Sequence, residues 1–245
     1  VSSAVHAALS THAFVSDFCE RVGPGLWAEP LNVGSSLAFV VGAVWLARDI
    51  ARAPAGAAGG RRWSLALLAA CLGFMGAGSM ALHTLATGWG ASLDMLAIRC
   101  FLLWFVTCFL RWMMGWSWPW ALLGMPGLYL LAEGWLRLGG PEALFGLHAY
   151  LPALWTLLAC TLALAARGDP AWRLFALAAV SHGASLAFHR LDGELCRALP
   201  LGTHFIWHLF NAALCFAVAR CVTRRALDRL EHPGVVPAGA PPVAG

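Results

Sequence analysis

Residues 64–110 read SLALLAACLGFMGAGSMALHTLATGWGASLDMLAIRCFLLWFVTCFL, two long apolar runs parted by a short turn around Gly88-Trp89-Gly90. Asp94 and Arg99 are the only fully charged residues in the stretch. Each run is long enough to cross a hydrocarbon core of roughly 30 Å as a helix rising about 1.5 Å per residue. The pair therefore predicts two successive membrane-crossing helices, and the rest of the chain repeats the pattern.

Of the 245 residues, 60% are apolar and 11% are charged. A soluble domain of that size has no means of hiding so much apolar surface from water, so lipid is the natural solvent. Thirteen tryptophans against two tyrosines supply aromatic rings suited to headgroup depth. The formal charge of +4 is not a nucleic-acid signal. The basic residues are all arginine and sit mostly between apolar stretches, where they orient the chain. No charged leader followed by a cleavage site opens the sequence, so the first helix is expected to serve as its own insertion signal.

Seven spans are expected near 30–48, 62–86, 92–114, 118–136, 147–166, 171–189 and 200–222, an all-α polytopic bundle. Pro54 to Gly60, Gly139-Gly140-Pro141 and Arg167-Gly168-Asp169-Pro170 mark breaks. Residues 1–29 form an N-terminal segment, 30–225 the seven-helix domain, and 226–245 a tail expected to be disordered. Eleven arginines fall on one side and four on the other, with Arg99 inside the third span. The positive-inside rule then puts the N-terminus outside and the C-terminus in the cytoplasm.

Ionisable groups inside spans are costly and usually functional. Ser79 and His83 are four residues apart on one face of the second helix, Asp94 opens the third, and His204-x-x-x-His208 opens the seventh. The end of helix two and the starts of helices three and seven lie on the same side of the membrane, so these groups can meet at one depth. Three neutral imidazoles with an open fourth position suit a catalytic zinc. Asp94 is suited to take a proton, and Ser79 to bond water or a developing oxyanion. The plain alternative is that each histidine packs between helices and bonds a carbonyl.

Asn211, three residues after His208, is a candidate to orient that ligand. His182 lies too deep to join the site, and His189 is expected to line the pocket or cap its helix. His148 is expected to be exposed. Arg99 is expected to pair with Glu133, since an unpaired guanidinium within a span is expensive.

Ser79-x-x-x-His83, Asp94 and His204-x-x-x-His208 in this order resemble the alkaline ceramidases and their bacterial relatives. Their wider superfamily includes the progestin and adiponectin receptors and the haemolysin III-like proteins. The segments Ser16-Asp17-Phe18-Cys19-Glu20 and Ala28-Glu29-Pro30-Leu31-Asn32 resemble the acidic segment that precedes the first helix in the ceramidase branch. The resemblance implies an integral protein of a bacterial inner membrane. It also implies a zinc-dependent amidohydrolase for ceramide or another N-acyl lipid, with its site near the extracytoplasmic face. It implies a calcium ion held by the carboxylates of Asp17, Glu20 and Glu29 and the carbonyl of Phe18, a hard oxygen set. One departure is that Val22 stands where the family usually has asparagine. An acidic cap at the start of helix one is the alternative for this segment.

Of eight cysteines, only Cys19 and Cys196 lie clearly outside the spans, on the oxidising side, and a disulfide between them is expected. Two other function classes stay open: a non-enzymatic heptahelical receptor or haemolysin III-like protein with a structural zinc, and a membrane di-iron desaturase or hydroxylase. The second needs more histidine boxes than the single one here. A transporter would need broken helices at the midplane. No nucleic-acid partner is expected, and the oligomeric state is not legible.

Overall fold

The computed structural model describes residues 18–53, 62–139 and 143–231, and every regular element among them is helical. Seven α-helices follow one another: α1 Pro30–Arg52, α2 Trp63–Leu85, α3 Gly88–Cys108, α4 Trp118–Gly139, α5 Leu151–Ala165, α6 Trp172–Leu195 and α7 His204–Glu231. A π-helical turn, Phe109–Met113, prolongs α3, and a 3₁₀ segment, Ala143–Tyr150, leads into α5.

Local chemistry sets several boundaries. Pro30 and Pro152 open α1 and α5, where a missing N–H costs nothing. Thr87 caps α3 by accepting from the Gly90 N–H at 3.2 Å. Gly115, at φ +81°, ends the π turn in the left-handed region.

Five segments are long and apolar enough to cross a membrane: α1, α2, α3 with its π turn, Leu147–Ala165 and α7 as far as Arg229. The chain is thus an integral membrane protein by helix length and composition. Both α4 and α6 are long but less apolar. Glu133 and Arg137 interrupt α4, while Arg190, Asp192 and Glu194 crowd the last turns of α6. At the other terminus α7 continues through residues 226–231, where a disordered tail was expected, because Ala226 and Leu227 are buried against the bundle. The remainder of that tail lies outside the described residues.

Around the bundle the neighbours run α4, α3, α2, α1, α7, α6, α5, and α4 meets the α5 side through the 3₁₀ segment. Leu46, Leu65, Leu68, Leu72, Phe105 and Phe175 fill the centre. Apolar side chains such as Val41, Leu123, Leu162 and Val180 face outward, which water penalises and lipid does not. Gly78 lets α2 and α3 approach closely, since a Cβ there would stand 3.2 Å from the Asp94 Cα. That contact sets Asp94 beside the turn that carries Ser79.

Candidate metal centre

His83, His204 and His208 come together at one end of the bundle, with one ring nitrogen of each within 4.8 Å of the others. All three are buried. Antiparallel passage brings the C-terminal end of α2 to the same level as the first turn of α7, and the i,i+4 spacing puts both α7 histidines on one face.

The partners of each ring decide where its protons sit. The Nδ1 of His83 lies 2.5 Å from Glu29 Oε2, and a carboxylate there can only accept. His83 Nδ1 therefore carries the hydrogen. The Nδ1 of His208 faces the Asn32 carbonyl at 3.2 Å and the Ser35 hydroxyl at 2.9 Å. A carbonyl can only accept, so the contact with Asn32 assigns a hydrogen to His208 Nδ1 as well. Both Nε2 atoms are then bare lone pairs, yet they face each other across 3.2 Å. Two such lone pairs repel unless a cation lies between them. A metal shared by both relieves the clash, and ligand nitrogens about 2.0–2.1 Å from a tetrahedral ion fit such a spacing. The buried His204 Nδ1 has no hydrogen-bond partner among the described residues, which leaves it free for the same purpose. The donor set fits a metal ion.

Supporting groups surround the rings. The Ser79 hydroxyl lies 3.4 Å from His208 Nε2 and 2.9 Å from the Ser36 hydroxyl. Trp207 stacks on His204 with ring planes 14° apart and centroids at 5.2 Å. Phe18 covers the outer side, 4.2 Å from the His204 ring and 4.8 Å from the His83 ring. Asp94 is buried but stands outside the three-histidine group, and its carboxyl makes no hydrogen bond among the described residues. On the Trp207 side of the site lies an apolar cavity, lined in part by Met75, Met95, Leu102, Leu157, Trp207 and Asn211.

The residues expected to bind calcium are engaged otherwise. Glu20 caps α1, its two oxygens accepting from the N–H groups of Leu31 at 2.6 Å and Asn32 at 2.9 Å. Glu29 pairs with Arg21 through one oxygen and takes the His83 and Asn32 bonds on the other. Burial alone would raise the Glu29 pKa, but the bonds from His83, Asn32 and Arg21 outweigh it and hold the carboxyl below its ordinary range. Phe18 contributes a ring contact, Val22 is fully exposed, and Asp17 lies outside the described residues. Among the described residues the carboxylates of Glu20 and Glu29 are engaged with the start of α1 and with Arg21, His83 and Asn32.

Cys19 and Cys196 form a disulfide with Cα atoms 5.1 Å apart. Beside it Asp192 accepts from the N–H groups of Cys19 at 3.0 Å, Thr203 at 2.6 Å and His204 at 2.9 Å. Gly202, at φ +65°, is required there, because a Cβ would collide with the Asp192 carboxylate. This carboxylate anchors the start of α7, and its role was not legible in the sequence. The same holds for Asn32, Ser35 and Ser36, although small polar residues at i, i+3 and i+4 on an otherwise apolar helix are a usable signal.

Two sequence expectations need correction. Asn211 makes no hydrogen bond to His208 among the described residues and instead bonds His182 Nδ1 at 2.8 Å and the Ser185 hydroxyl at 3.0 Å. His148 is buried, not exposed: it stacks on Trp135 and its Nε2 donates to the Trp135 carbonyl at 2.7 Å. Arg99 does pair with Glu133, at 3.3 Å. His189 packs its ring 4.9 Å from that of His204 without joining the ligand group.

No protein-family model matches the chain, and no curated protein matches it significantly.

Proposed function

We propose that this protein is a zinc-dependent intramembrane hydrolase that cleaves the amide of ceramide or a related N-acyl lipid. The observation that carries the reading is the pair of bare Nε2 atoms, fixed by Glu29 and Asn32, beside Ser79, with an apolar cavity next to the Trp207 ring that stacks on His204. A structural site has no need of an apolar cavity close by. A hydrolase acting on lipid needs both.

Zinc held by His83, His204 and His208 would supply Lewis acidity, making water acidic near neutrality and polarising a carbonyl. The chain's own groups do the rest. Ser79 is placed to hydrogen-bond the carbonyl oxygen or the attacking water. Asp94, buried and with no hydrogen bond to spend elsewhere, is suited to take a proton from that water and return it to the departing amine. The apolar cavity receives an acyl chain, which leaves the amide level with the histidines. Phe18 and the disulfide-tied segment keep bulk water off the ligand rings.

In this reading all seven helices cross the bilayer, with the N-terminus extracytoplasmic and the C-terminus cytoplasmic. The arginine distribution supports that orientation. The experiment is turnover of a labelled N-acyl lipid by purified protein of known metal content. Asp94→Asn should keep the metal and lose about 10²–10⁴-fold in rate, the usual worth of a general acid–base. Unchanged turnover in Asp94→Asn, or wild-type protein that holds a metal and hydrolyses nothing, favours a structural metal in a receptor-like protein.

A further inference from the structure

Arg21 is 5% exposed, and all the partners named here are oxygens. Its Nε donates to Glu29 Oε1, one terminal nitrogen to the carbonyls of Gly23 at 3.2 Å and Gly25 at 3.3 Å, and the other to the His83 carbonyl at 2.5 Å. One carboxylate and three backbone carbonyls make the kind of set that hard divalent cations prefer. Here a guanidinium fills it, permanently charged and able only to donate.

Two of those bonds lead to the metal centre. The His83 carbonyl belongs to the last turn of α2, where carbonyls lack helical partners and a cation is favoured by the helix dipole. Glu29, the other partner, receives the Nδ1 hydrogen of His83. Arg21 thus grips His83 at its backbone and, through Glu29, at its ring. Two residues away, Cys19 is bound covalently to Cys196, so the segment carrying the guanidinium is itself fixed.

We propose that Arg21 is a resident cation standing where an oxygen cage of this kind would otherwise hold a divalent ion, and that it positions His83 without calcium. A calcium ion brought to Glu29 would have to sit against the guanidinium charge and share its acceptors. Removing the guanidinium should open the cage to an added cation.

The test uses full-length protein in micelles, with metal occupancy at the histidines held by a zinc buffer. Wild type should bind no radioactive calcium up to ~1 mM, the range of weak extracellular sites, and calcium should not shift its melting temperature. Arg21→Ala should melt lower and regain part of the loss in calcium. Its zinc affinity should fall about 10–100-fold, as when a supporting partner of a ligand is lost. Arg21→Lys should restore most of that affinity. In cobalt-substituted protein the visible spectrum should change in Arg21→Ala and return in Arg21→Lys. Stoichiometric calcium binding by wild type overturns the proposal, and so does an Arg21→Ala protein with unchanged melting and metal affinity. An Arg21→Ala protein that melts lower without responding to calcium also overturns it, since the cage is then no cation site. Should Arg21→Ala not fold, calcium binding by wild type and the affinity of Arg21→Lys still decide. The zinc and cobalt readouts rest on the proposed metal centre. The calcium readouts do not, so the two ideas can fail separately.

Discussion

The two ends of the bundle both gather charge, but they spend it differently. At the metal end Arg21, Glu29, Asn32, His83, Asp192 and His208 are buried and bonded mainly to one another and to backbone. At the opposite end arginines are half-buried and act as local ties. Arg62 donates to the carbonyl of Ala53 at 3.0 Å and Arg167 to that of Met114 at 3.0 Å. Arg220 and Arg225 hold Asp49 and Asp169 at helix ends. Burying a charge is expensive unless it is paired, and a chain tolerates a whole cluster only where the cluster does something. The arginine end anchors helices; the metal end builds a site.

That contrast is broken first by the ligands. His208→Ala or His83→Ala should reduce metal affinity by more than the ~10–100-fold that loss of a supporting partner costs, and lipid turnover should vanish with it. Metal analysis and a turnover assay on the same preparations check this. Full metal content in either variant would remove the shared-ion account of the two facing Nε2 atoms.

Next in size is Glu29→Gln. The neutral amide no longer fixes His83 Nδ1 as a donor, and it leaves the buried Arg21 charge without its carboxylate. Breaking a buried pair from one side costs about 3–5 kcal/mol, so the variant should melt well below wild type and bind metal ~10–100-fold more weakly. Thermal unfolding with and without added zinc separates the two effects. Cys19→Ser follows, with an expected loss of at most about 2–4 kcal/mol. The loss should be at the low end, because helices held in lipid already restrain the reduced chain. It should appear in thermal unfolding of oxidised against reduced wild type.

How much of this the sequence announced differs between the two ends for a physical reason. Spacing along helices is local, so Ser79 and His83, or His204 and His208, declare a shared face by themselves. The parity of membrane passes then carries all four to one depth. What each ring's second nitrogen meets is not local. Asn211, three residues on at 100° per residue, sits only about 60° around the helix from His208, and only packing shows that it turns to His182 on α6. The acidic segment was ambiguous for another reason. A carboxylate that would bind calcium and one that would orient a histidine look alike in sequence, and Arg21 beside Glu20 reads as a flanking charge. Only the folding of residues 20–30 back on themselves brings the guanidinium to Glu29. The reach of α7 past residue 222 was hidden because its arginine-rich surface resembles a tail, while buried Ala226 and Leu227 hold it as helix.

The smallest effect belongs to the arginine end and sharpens the comparison. Asp169 forms an ion pair with Arg225 at 2.9 Å, accepts a hydrogen bond from its other terminal nitrogen at 3.2 Å, and accepts from the Ala171 N–H at 3.0 Å. Partial burial alone would raise its pKa, but the Arg225 bond and the Ala171 N–H outweigh that and hold it below its ordinary value. A carboxyl whose pKa is depressed on folding stabilises the fold above its unfolded pKa, near 3.9, and that contribution fades as pH falls through the folded value. Asp169→Asn should therefore cost about 1 kcal/mol or less, since the pair is partly exposed and screened. The difference from wild type should be the same at pH 7 and pH 5 and should shrink below about pH 4. Melting curves across that range read it directly, with metal content and turnover unchanged at neutral pH. A loss of metal in Asp169→Asn would mean that the two ends are coupled through α7, and that the division between anchor and site does not hold.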